Sequence, residues 1–278
     1  MTVGTSTSWP AATTTATDPA SGPVRAGPAR PVSVTAIRYG ADMTPLAARL
    51  TEETNALVRD LREALAAAGD PGRAEQQRRY LKSAMEMYGV GVPRTRRIAQ
   101  AAASHPCLWR DATSWETALR RVWDTAEHRE ERFAVLAIIR SRHCAPHAER
   151  IESLALYEHL LRTGQWWDLV DEASHAVGLV VRAHPAAAAR MRAWATDADL
   201  WVRRSSIICQ LQHKERTDTS LLGDVIEANQ DDGEFFIRKA IGWALRDYAR
   251  TDGAWVRAFV EGHPRLSPLS RREALKHL

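Results

Sequence analysis

Asp171 and Trp167 stand four residues apart in the segment Gln165-Trp166-Trp167-Asp168-Leu169-Val170-Asp171. On a helix that spacing puts a carboxylate and an indole on one face. The pairing suggests a site. Basic residues bunch at Arg78-Arg79-Tyr80-Leu81-Lys82 and Arg94-Thr95-Arg96-Arg97. Basic runs with an interleaved aromatic fit a nucleic-acid face; arginine on solvated helix faces produces the same pattern. The 3 cysteines are odd in number and form no CxxC pair, which reads as buried free thiols rather than disulfides or a zinc site. His143 and His147 have helical ligand spacing, but no second cluster completes a metal set. The sequence predicts no metal and no cofactor.

The elements that must position Asp171 are helices in register. Phe133, Trp167, Trp201 and Phe236 recur at spacings of 34, 34 and 35, each two residues after a polar residue: Glu131, Gln165, Asp199 and Glu234. A period of that size means stacked helical repeats. The pair Asp199-Leu-Trp201-Val-Arg203-Arg204 and Glu234-Phe-Phe236-Ile-Arg238-Lys239 shows both aromatics followed by paired basic residues. Antiparallel helix pairs stack into a curved solenoid whose concave face cradles an elongated polyanion. Leu50, Leu57, Leu61 and Leu65 open the helical text, which breaks near Gly89–Pro93, His105-Pro106, Cys144–Pro146, His184-Pro185, Asp231–Gly233 and from His263 to Pro268. No stretch between these breaks alternates with strand period. The expected fold is all-α, a curved helical-repeat solenoid with a concave basic groove.

The 278 residues are 45% hydrophobic and 26% charged, enough to bury a substantial core, with a net charge of +4. Residues 1–45 are Thr, Ala, Ser, Pro and Gly with few charges, and read as a disordered tail ahead of a repeat domain at 46–278. No apolar run reaches the roughly 20 residues of a membrane span, nor is there a secretory leader. A cytoplasmic monomer is the expectation, bacterial and nucleoid-associated when bound.

Four motifs in order carry a resemblance: Trp166-Trp167-Asp168-x-Val170-Asp171, Trp201-x-x-Arg204, Glu234-Phe235-Phe236 through Lys239, Trp243, Arg246 and Tyr248-Ala249, and Pro268-Leu269-Ser270-x-Arg272-Glu273-Ala274. Upstream, Tyr80-Leu81-Lys82 and Gly91-Val92-Pro93-x-x-Arg96-Arg97 match too. Together they resemble the AlkD-type bacterial DNA glycosylases over about residues 50–278. The resemblance implies a HEAT-like helical solenoid that excises cationic N3- or N7-alkylated purines from double-stranded DNA without base flipping. It implies catalytic roles for Trp167, Trp243 and Asp171, a phosphate contact by Arg204 and a DNA-facing Tyr80. The flanking Lys82, Arg96, Arg97, Arg203, Arg238 and Lys239 are expected to bind DNA. Pattern alone reads Trp167 and Trp243 as core packing, and Trp166, Trp194 and Trp201 as structural. Two other functions share this text: a resistance glycosylase for bulky natural-product adducts, and a scaffold that binds nucleic acid or protein without chemistry.

Overall fold

The computed structural model describes residues 43–103 and 106–278. Among them lie fourteen α-helices. In chain order they are α1 Met43–Ala67, α2 Pro71–Leu81, α3 Val92–Ala102, α4 Ala112–Asp124, α5 Arg129–Ile139 and α6 Ala145–Ala148. There follow α7 Leu154–Gly164, α8 Trp167–Ala183, α9 Ala187–Trp194, α10 Leu200–Ile208 and α11 Thr219–Glu227. The last three are α12 Phe235–Tyr248, α13 Gly253–Gly262 and α14 Pro268–Ala274. The fold is all-α and helical-repeat, as expected. Residues 1–42, most of the expected tail, lie outside the described residues, as does the break at His105; Met43 opens α1.

The helices sort into two layers by what they touch. An inner file runs α3, α5, α8, α10, α12, α14, each member packed on the next, while α4, α7, α9, α11 and α13 back it. The sequence period marks the file: Phe133 lies in α5, and Trp167, Trp201 and Phe236 fall in the first two residues of α8, α10 and α12. Trp166, Trp201 and Phe236 form a ring cluster with centroids 5.0 to 5.9 Å apart. Hydrogen bonds about one repeat apart tie neighbours, among them Arg162 to Asp197 and Asn229 Nδ2 to the Ala195 carbonyl. At α8 and α10 the backbones approach closely, because a Cβ on Gly178 would stand 2.2 Å from the Cys209 carbonyl oxygen.

Several turns were not visible as Pro/Gly breaks, such as those before α5, α8, α10, α11 and α13. Aspartates start three of these helices: Asp199, Asp218 and Asp252 each accept a backbone N–H from the first turn. A side-chain cap satisfies an orphan donor and begins a helix without a breaker. Cys144 and Cys209 are buried free thiols; burial pushes the Cys209 thiol up to about 12. His147 bonds the Trp109 carbonyl through Nε2 at 2.7 Å, a packing role.

Candidate active site

Asp171 lies on the second turn of α8, on the inner file. Its carboxylate receives two hydrogen bonds from Arg204 of α10, Nε to Oδ1 at 2.7 Å and Nη2 to Oδ2 at 2.8 Å. Arg204 Nη1 in turn bonds the Phe236 carbonyl of α12 at 2.6 Å. Three successive inner helices are therefore joined at this carboxylate. One turn earlier, Asp168 forms a second, buried pair with Arg129 of α5. Two carboxylates three residues apart thus stitch α8 to the helix on each side.

Two cavities meet at Asp171. One, of about 480 Å³, is lined by Tyr80, Trp167, Asp171, Arg204, Phe235, Phe236, Lys239, Trp243 and Arg246. The other, of about 420 Å³, shares Tyr80, Trp167, Asp171 and Trp243 and continues past Leu81, Met87, Val90, Val92 and Phe133 to His175. Tyr80 is 74% exposed and meets the Trp167 ring edge-on, centroids 6.1 Å apart. Trp167, Trp243 and Tyr80 come from α8, α12 and α2, so the aromatic walls exist only in the folded chain.

Local devices aim these groups. Asp70 caps α2 by accepting from Arg73 N, and Pro71 occupies its first turn, where no N–H is missed. The helix ends at Lys82 in the left-handed conformation, φ 50. The loop behind it is held by Glu130, buried, whose carboxylate accepts from the backbone N–H groups of Tyr88, Gly89 and Val90 at 2.8 to 3.1 Å. Gly89 has φ +80, and a Cβ there would fall 2.0 Å from the Asp70 carbonyl oxygen. Start and end of the α2 segment are clamped together.

Burial raises the Asp171 pKa above the ordinary aspartate value, with Arg204 pulling the other way. Burial, then Arg140, lower that of His175, so a neutral imidazole faces this end of the cavity near pH 7. Neighbouring Glu172 accepts from Arg140 Nη1 at 2.7 Å and Arg96 Nη2 at 3.0 Å.

The expected site residues divide. Tyr80, Trp167, Asp171, Arg204, Lys239 and Trp243 line the cavities; Lys82, Arg96, Arg97, Arg203 and Arg238 do not. Arg204 is only 3% exposed, its guanidinium engaged by the Asp171 carboxylate and the Phe236 carbonyl. Arg203 bonds the Asp197 and Ala198 carbonyls and pairs with Asp232. Lys239 pairs with Glu273 of α14 at 2.8 Å, which holds the Glu273 carboxyl below the usual range. Lys82 and Arg97 are exposed. Sequence reasoning missed His175, Arg246 and Phe235 as lining residues, though His175 is four residues from Asp171 and Arg246 three from Trp243, both on shared helical faces.

Residues 61–278 match the family model of the DNA alkylation repair enzymes. The chain belongs to that family. Its membership assigns it to DNA alkylation repair. A solved structure from Enterococcus faecalis, described as a predicted DNA alkylation repair enzyme, is similar at a TM-score of 0.68 and 25% identity, covering 76% of this chain and 96% of its own. No curated protein matches. Among the described residues of this family member, no helix is long and apolar enough to cross a membrane.

Proposed function

We propose that this chain is a monofunctional DNA glycosylase that hydrolyses the N-glycosidic bond of cationic N3- or N7-alkylated purines in duplex DNA, leaving the base in its stack. The observation that carries the reading is Asp171, a carboxylate fixed by two hydrogen bonds and set among Trp167, Trp243 and Tyr80. An alkylated purine is already cationic, so the C1′–N bond breaks with its electrons going to the base, and no general acid is needed. Positive charge then develops on the deoxyribose, and a preorganised carboxylate beside it lowers the barrier. A carboxylate has about four lone-pair sites. Arg204 uses two, and the rest serve to orient the attacking water and take its proton as oxygen bonds to C1′.

The aromatic walls act on the charged nucleotide, each ring contributing about 0.5 to 2 kcal/mol through cation–π attraction. Neutral bases gain little from them. Tyr80 is too exposed to close a tight slot, which suits a base that stays stacked rather than one extruded into a pocket. Arg204 positions Asp171, and the exposed Arg97 and Lys82 offer charge to phosphates. The apolar cavity past Leu81, Met87 and Phe133 favours one second reading, a resistance glycosylase whose lesion carries a bulky apolar group. A scaffold without chemistry would use the bridged carboxylate only to join α8, α10 and α12, and would release no base.

The test is base release from duplexes carrying N7-methylguanine, N3-methyladenine or a bulky N3-adenine adduct, followed by chromatography. Release of a methylated base supports general repair, and release of the bulky adduct alone supports resistance. No release from any duplex by the folded protein removes the glycosylase reading.

A further inference from the structure

Among the described residues no side chain of α14 lines either lobe of the cleft, yet Glu273 on that helix holds two that do. Its carboxylate pairs with Lys239 Nζ at 2.8 Å through Oε1 and accepts from Arg246 Nη1 through Oε2. Lys239 and Arg246 stand two helical turns apart on α12, so they share a face. Gly242 lies between them, and there the helices touch: a Cβ on Gly242 would fall 2.5 Å from the Glu273 Cβ. Ser270 Oγ donates to the Arg238 carbonyl at 2.8 Å beside that contact. Close approach of the two backbones thus fixes where the Glu273 carboxylate sits. Its side chain is 14% exposed against 39% for Lys239, so the carboxylate is covered while the ammonium keeps an open side.

Charge says what this arrangement does. In the lobe of about 480 Å³, Arg204 neutralises Asp171 at contact. Lys239 and Arg246 alone would add two positive charges to a site whose substrate is a cation and whose sugar gains positive charge as the bond breaks. Across about 8 Å, the cube root of that volume, like charges repel appreciably at a protein-surface dielectric. With no cation at all, this wall would offer nothing to a phosphate. One carboxylate between two cations leaves the group a net charge of +1, which answers both demands. Glu273 stays ionised at neutral pH, because Lys239 first, then Arg246 and Lys276, hold its carboxyl below the usual range.

We propose that Glu273 is a positioning and specificity residue, whose shared carboxylate aims Lys239 and Arg246 into the cleft and offsets half of their charge, so that a duplex with a cationic base is favoured over an undamaged one. The assignment rests on the reading that duplex DNA with a cationic purine occupies the cleft. Glu273 itself touches no substrate and acts through its two partners.

The test compares the full chain with Glu273→Gln, which keeps the shape and an accepting oxygen, on an undamaged duplex and on the same duplex carrying whichever lesion named above the wild type releases fastest. The variant should bind undamaged duplex about three- to tenfold tighter, with a slope of log K against log salt steeper by about one. It should gain less affinity for the lesion duplex and release the base about three- to thirtyfold more slowly, as for one more positive charge near the reacting sugar. Adding Lys239→Gln restores the net charge and should return the slope to the wild-type value. Lost packing weakens binding and steepens no slope, so weaker or unchanged binding by the folded Glu273→Gln chain, while the wild type releases the base, overturns this assignment alone. If that variant does not fold, Lys239→Gln by itself decides: a slope shallower by about one supports the proposal, and an unchanged slope overturns it. A wild-type chain that releases base from no duplex removes the glycosylase reading and this assignment with it.

Discussion

Asp171 and Arg204 act as one unit, and their variants separate chemistry from binding. Asp171→Asn should slow single-turnover base release by roughly tenfold to a thousandfold with duplex affinity within a few-fold, as for one electrostatic contact made mainly in the transition state. It also leaves the Arg204 charge without its counter-ion, so the melting temperature should fall; removing one partner of a buried pair costs about 3 to 5 kcal/mol, less where the amide oxygen still accepts. Unchanged release by a folded Asn variant removes Asp171 from the mechanism. Arg204→Lys keeps the charge but loses the planar fork. Release should fall about tenfold with the salt slope of binding unchanged. In Arg204→Ala, which removes the charge, a slope lowered by about one with an unchanged rate restores the phosphate contact that the family resemblance implies for Arg204. The pH profile gives an independent check. The proposed reaction uses the ionised carboxylate, and burial raises its pKa, so the acid limb of the rate should lie above the ordinary aspartate value of about 3.9. Loss of the guanidinium that opposes this shift should move the limb to still higher pH in Arg204→Lys.

At the scale of elements, the segments that line the cleft are positioned by neighbours that are remote in sequence. Glu130 illustrates this, since one buried carboxylate accepts from three consecutive backbone N–H groups across some forty residues. Glu130→Ala should destabilise the chain by about 2 to 4 kcal/mol, as several charge-assisted hydrogen bonds are lost and the donors stay buried. The α2 segment carrying Tyr80 should loosen with it, lowering base release while Trp167 and Asp171 stay in place. Urea unfolding and single-turnover release measure the two effects, and a variant of wild-type stability contradicts the clamp. Helix existence and order were legible here, because leucine periodicity and Pro/Gly punctuation are local signals. Helix ends capped by aspartate were less so, because Asp199 as a cap and Asp199 as a surface residue look the same until the first-turn N–H groups point at it.

For the whole molecule, the inner file of helices supports the cleft and the outer file buries the core. The tail is a separate matter, argued from composition alone: residues 1–42 lack the apolar side chains to build a core. Removing them should shift the melting temperature by less than about 2 °C and leave base release nearly unchanged, which calorimetry and the release assay measure together. Loss of most activity would assign the tail a part in the site.

The chain's own text determined the all-α repeat, because a 34- to 35-residue period is written in residue types, and it marked Trp167 and Asp171 because a spacing of four on a helix is a local fact. Its motifs also point to the family. Only the tertiary structure decided what each charge does. Arg203, Arg204, Arg238 and Lys239 read alike as two basic pairs, yet Arg204 is buried against Asp171, Arg203 is tied to the turn before α10 and Lys239 to α14. A guanidinium goes where carboxylates and carbonyls converge, and that convergence is set by how neighbouring repeats stack, which no local pattern encodes.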